Sequence, residues 1–147
     1  MKNKRKPVYD WDPETKTATC FLFDKNEVFV GIAQCHPDDE EFMSEKTGLI
    51  IAETRAQLDA LRHLKNHVLK PELAALEHFY YTINKSKHYN KKSYEAKMLW
   101  RQMKIKKGEI AETQNAIIEI KKNLKQFIDD KDNFYKSVKK NREANNK

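Results

Sequence analysis

Residues 17–35 read TATCFLFDKNEVFVGIAQC, and this stretch decides the fold. Thr17–Phe23 and Glu27–Cys35 are rich in β-branched and aromatic residues, which suit a pleated, half-buried surface. Asp24, Lys25 and Asn26 separate them, a polar link short enough for a hairpin. The first run alternates, with Ala18, Cys20 and Leu22 on one face and Thr17, Thr19, Phe21 and Phe23 on the other. Two strands alone are marginal in water, so the hairpin must pack on a helix or pair with another chain.

Upstream, residues 1–16 (MKNKRKPVYDWDPETK) mix charge, proline and turn formers and read as a mobile basic segment. Downstream, Pro37 biases His36 to an extended conformation, and the acidic run Asp38 to Glu41 suits a helix start. Leu49, Ala52, Ala56, Leu58, Leu61, Leu64 and Val68 recur near the 3.6-residue period, which predicts a helix over about 44–69. Lys70-Pro71 reads as a break before a second helix over 71–82. Residues 84–92 are polar and read as a loop, after which Ser93 can cap a long helix over 93–140. In that helix 103, 110, 117, 124 and 138 fall on a heptad seam, interrupted at Lys131, with Gly108 a candidate division point. Residues 141–147 should fray.

The expected fold is therefore α+β, a single domain over 17–140. A small antiparallel hairpin or sheet packs on a helix, and long C-terminal helices follow that pair in a homo-oligomer, dimer or higher.

Charge divides the chain. Residues 1–84 hold 11 basic against 14 acidic side chains, a net of −3, whereas residues 85–147 hold 18 against 8, a net of +10. The second half is the one that would face an anionic partner, although lysine-rich coiled coils show the same bias from solvation alone. Cys20 and Cys35 lie in strand-like runs and read as buried free thiols. No apolar run is long enough to span a membrane, and no hydrophobic segment follows the basic KNKRKP, so a cytoplasmic protein is expected. Walker, GxSxG and GxGxxG patterns do not occur, so neither an enzyme nor a cofactor is expected.

The most informative stretch is 78–107. It interleaves His78, Phe79, Tyr80, Tyr81, His88, Tyr89, Tyr94 and Trp100 with Lys85, Lys87, Lys91, Lys92, Lys97, Arg101, Lys104, Lys106 and Lys107, against one acid, Glu95. Aromatic faces stack on bases, cations neutralise phosphate, and Asn84 and Asn90 can read a base edge or ribose. The competing reading makes Phe79, Tyr81, Tyr94 and Trp100 core residues and the lysines a solvated surface. Arg55, in AETRAQL, is either a snorkelling surface residue or a phosphate ligand. His63 and His67 share a helical face, but without HExxH or CxxC no metal site is expected. Helix capping explains Asp38 to Glu41 more simply than a cation does.

One segment, FVGIAQCHPDDEEFMSEKTGLIIAETRAQL (29–58), resembles a pattern found in small phage-encoded proteins. Its marks are Gly31, Ala33, Cys35, Pro37 and Asp39, then Gly48, Ala52, Arg55 and Ala56. With the aromatic and basic second half added, the chain most resembles the phage anti-Thoeris sponge family. That resemblance implies an N-terminal β-sheet, long C-terminal helices, oligomers, and sequestration of a cyclic ADP-ribose signal without cleavage in the host cytoplasm. It also implies Arg55 on phosphate, Tyr80 or Phe79 stacked on adenine, Asn90 at the ring or ribose, and Arg101 or Lys104 on a second phosphate. The family tends to use arginine where this third helix offers mostly lysine. The candidate ligand-binding residues are thus Arg55, Phe79, Tyr80, Asn90, Lys91, Arg101 and Lys104. The alternative partner for the same basic half is nucleic acid or a nucleoprotein, as for an anti-CRISPR-type inhibitor.

Overall fold

The structure, a computed structural model, describes residues 6–34, 44–85 and 94–146. It is α+β. Strands β1 (Val8–Asp12), β2 (Thr17–Asp24) and β3 (Glu27–Gln34) form one antiparallel sheet in the order β1-β2-β3. Helix α1 (Glu45–His63) continues through a π-helical segment (Leu64–Leu69) into α2 (Lys70–Asn84), and α3 (Tyr94–Asn145) runs for 52 residues. The chain's contacts group into two compact units, residues 1–60 with 119–147 and residues 61–118.

In the first unit the expected hairpin forms, with Asp24 paired to Glu27 across Lys25 and Asn26. The expected mobile segment is corrected in part, because Val8–Asp12 pairs with β2 from Val8 opposite Phe21 to Asp12 opposite Thr17. The intervening turn is held locally. The Glu14 N–H donates to the Asp12 carboxylate at 2.9 Å, and Lys16 takes a left-handed φ of 53°. That bond is the main cause holding the Asp12 carboxyl below its ordinary value. Residues 1–5 lie outside the described residues, as do Cys35 and the acidic run after it.

Ala18, Cys20 and Ala33 point inward and meet Ile51, Ala52 and Ala56 of α1. Trp11, Leu22 and Leu49, with Leu124, Phe127 and Ile128 of α3, pack against this cluster. Small residues let the helix approach closely. A Cβ placed on Gly31 would lie 1.8 Å from the Ala52 carbonyl oxygen and 2.4 Å from the Ala56 nitrogen. Ser44 caps α1, accepting the Thr47 N–H at 3.0 Å, a role the sequence assigned to acids further upstream. Lys131, which interrupts the heptad seam, sets its ammonium 5.6 Å from the centre of the Phe127 ring. Cys20 is a buried free thiol whose pKa is raised first by burial and then by Glu53.

The second unit is an antiparallel helical hairpin. Lys65 pairs with Gln114, Glu72 with Lys106, and Tyr80 with Trp100, so partners step back along α3 as they advance through the π segment and α2. Among its described residues Leu69, Ala96, Met103 and Ile117 are the buried apolar ones, and the buried Thr113 hydroxyl donates to the Glu109 carbonyl at 2.8 Å. The expected break at Pro71 is absent. Proline clashes with the carbonyl four residues back, and the wider π turns accommodate the resulting strain, with the Lys70 N–H donating to the Lys65 carbonyl. Nor does Gly108 divide α3, which passes through it unbroken. Among the described residues no helix is long and apolar enough to cross a membrane.

Candidate functional site

The site lies in the helical hairpin, where the end of α2 meets the beginning of α3. Tyr80 from α2 joins Ala96, Lys97, Trp100, Arg101 and Lys104 from α3 around a groove of about 590 Å³. Positions 97, 100, 101 and 104 follow the three-and-four spacing that puts side chains on one helix face. The antiparallel pairing then brings Tyr80 alongside. The Tyr80 and Trp100 ring centres are 5.7 Å apart at 46°, and Tyr80 also meets Tyr81 edge-on at 5.5 Å.

This geometry restricts how a ring could bind. Tyr80 and Trp100 already touch, so no base fits between them as in a sandwich. A base can stack only on an outer face, and Trp100, 53% exposed, presents one. Below it the groove carries three cations and no acid. Lys97 to Arg101 and Arg101 to Lys104 are each about one helical turn apart, a rise of about 5.4 Å per turn. Neighbouring phosphate groups could engage two of them at once, with Arg101 supplying the bidentate fork.

Of the candidates named from the sequence, Tyr80, Arg101 and Lys104 come together here. Phe79 does not. It lines a separate groove of about 500 Å³, with Leu76 and Ile105 on an apolar floor and Glu72, Lys106 and Glu109 at the margin. Lys106 is bound there to Glu72 at 2.6 Å and Glu109 at 3.3 Å. Arg55 belongs to the first unit, where its guanidinium donates to the Ile32 carbonyl of β3 at 2.7 Å. Asn90 and Lys91 lie outside the described residues, with the rest of 86–93.

Lys97 and Trp100 were absent from the candidate set. Both stood in the aromatic and basic stretch, and their spacing from Arg101 was the signal that could have selected them. The rings of His63 and His67 stack with centres 5.0 Å apart, and the described residues gather no group of three or more metal-ligating side chains. The chain matches no family model, no curated protein and no solved structure.

Proposed function

We propose that this chain is a binding protein for an anionic nucleotide carrying more than one phosphate, which it sequesters without cleaving. The observation that carries the reading is the convergence of Tyr80 and Trp100 with Lys97, Arg101 and Lys104 in one groove. Its volume falls within the roughly 300–1,000 Å³ of small-ligand sites. Stacking supplies affinity for the base and the cations neutralise phosphate, while no group in the groove lining has the chemistry of a nucleophile with an adjacent base. A cyclic ADP-ribose isomer, with one adenine and two linked phosphates, is the ligand we propose. Its capture would make the chain an anti-defence protein acting in the host cytoplasm, as a homo-oligomer.

Calorimetric titration with glycocyclic ADP-ribose tests this, with short duplex DNA as the control. Saturable binding is expected, with the nucleotide recovered intact after denaturation. Trp100→Ala should weaken it by about 1–3 kcal/mol, the usual worth of a base stack. Unchanged affinity in both Trp100→Ala and Arg101→Ala would remove the groove from consideration.

A second reading, nucleic acid, draws on the +10 of residues 85–147 and the cation stripe of α3. Salt separates the two. A duplex partner gives a steep fall in affinity with salt because each neutralised phosphate adds to the slope, whereas a two-phosphate ligand gives a shallow one.

A further inference from the structure

Antiparallel sheets that face water usually show it polar residues. Here the face of the sheet turned away from α1 carries an apolar patch towards the β2–β3 turn, with Asp10, Asp12, Thr17, Thr19 and Gln34 towards its other end. The strand register places Val8, Phe21 and Val30 in one row across β1, β2 and β3, Thr19 beside Ile32, and Phe23 beside Val28. Val8, Val28, Val30 and Ile32 are 50%, 49%, 40% and 53% exposed, while Ala18 and Cys20, on the opposite face of β2, are wholly buried. Single exposed aliphatics are ordinary on a strand, but a contiguous row of them is not. In a chain with 35% charged residues, the outward positions of these strands hold no lysine or arginine. Asp10 and Asp12, both on the marginal strand β1, are the acids among them.

We infer that this face is an interface between two copies of the chain, packed sheet on sheet about a two-fold axis. Three considerations favour a second copy over another occupant. First, the residues outside the described ones read MKNKR, CHPDDEEFM and SKHYNKKS, with Lys147, mostly charged or polar, and cannot supply an apolar layer of their own. Second, the sheet is poorly suited to growth at its edges. Pro7 and two aspartates blunt β1, and Arg55 occupies the Ile32 carbonyl of β3. Contact by the face is what remains. Third, the face matches itself. Sheets pack about 10 Å apart with strands near −30°, and β-branched rows interdigitate well. An isologous contact brings each charge-free centre onto the other and leaves the aspartates towards the margins.

Area sets the expected strength. By strand rise and spacing the face measures about 26 by 14 Å, and pleating raises the accessible area above that of the plane. Two such faces remove on the order of 1,000 Å² from water, the lower edge of specific interfaces. The dimer should therefore be reversible, with a dissociation constant of roughly 1–100 µM. This contact differs from the helix pairing expected from the heptad seam, and it does not rest on the ligand reading.

Sedimentation velocity on the full chain across that concentration range tests it. The wild-type protein should pass from monomer to dimer. The double variant V30T/I32T keeps β-branched shape while removing apolar surface, and should raise the dissociation constant by about tenfold or more. I32K should be monomeric throughout, with circular dichroism reporting that both variants remain folded. A wild-type chain that stays monomeric at every concentration overturns the proposal. So does a dimer that both folded variants leave intact, which would place the contact on the helices.

Discussion

The sheet unit and the helical hairpin bury their surfaces by opposite means. In the sheet unit small residues predominate, and Gly31, Ala52 and Ala56 let the α1 backbone meet β3 directly. In the hairpin, burial rests on a few widely spaced side chains, Leu69, Met103 and Ile117, while Phe79, Tyr81, Trp100 and Ile105 remain exposed. A seam of small residues tolerates no added atom and fixes geometry. A sparse seam of larger side chains leaves aromatic surface uncovered, and the groove we assign to ligand binding occurs there.

The largest effect should come from the first seam. Gly31→Ala forces a methyl group into the Ala52 and Ala56 backbone, which no rotamer change can relieve. A loss of about 3 kcal/mol or more is expected in urea melts. If the loss is under about 1 kcal/mol, the two seams do not differ as described.

Next, Met103→Ala empties the one large, fully buried side chain among the described residues of the hairpin and should cost about 2–4 kcal/mol. Hydrogen exchange can localise it. Amides of residues 61–118 should lose protection while those of the sheet stay protected. Uniform loss across both units would show that they unfold together.

A smaller effect, of opposite sign, is expected at Gly108. An added Cβ meets nothing within 4 Å, so Gly108→Ala should stabilise α3 by about 0.5–1 kcal/mol. A loss of stability there would reveal a contact on that face.

The mildest distinction is pH. The Asp12 pKa is lowered, so its contribution is present above the ordinary carboxylate value of 3.8 and is lost as pH falls below it. The Lys106 pKa is raised, chiefly by its hydrogen bond to Glu72, so its contribution is present below 10.5 and is lost as pH rises. Burial raises Tyr9 and Cys20 as well, which adds an alkaline loss in the sheet unit. Acid is therefore the discriminating direction. Chemical shifts of the β1–β2 turn should hold steady on acidification until pH falls below 3.8, and movement of that turn above this value would contradict this assignment.

Alternation made β2 and β3 legible, and the heptad spacing of Met103, Ile110, Ile117 and Leu124 made α3 legible. Strand β1 escaped because Asp10 and Asp12 occupy alternate positions, and only Tyr9 and Trp11 mark its inward side. The continuity of α1 into α2 was hidden too, since Pro71 ordinarily ends a helix and nothing local announces a π segment. At the site, spacing within α3 was readable, but the neighbour of Trp100 depended on which α2 residue the antiparallel register delivered. Tyr80 and Phe79 are adjacent in sequence and face different grooves. Arg55 stayed open between a surface residue and a phosphate ligand for a similar reason, because no sequence signal shows that the Ile32 carbonyl is available to it.

The chain contains two tryptophans, and each unit holds one. Trp11 packs against the sheet core, and Trp100 stands half in water beside Tyr80. The molecule thus carries two built-in optical reporters with different surroundings. With Trp11→Phe and Trp100→Phe, emission can be followed from one unit at a time without any attached dye. Quenching on nucleotide addition should then belong to Trp100 alone, while the colour of Trp11 follows the fate of the sheet.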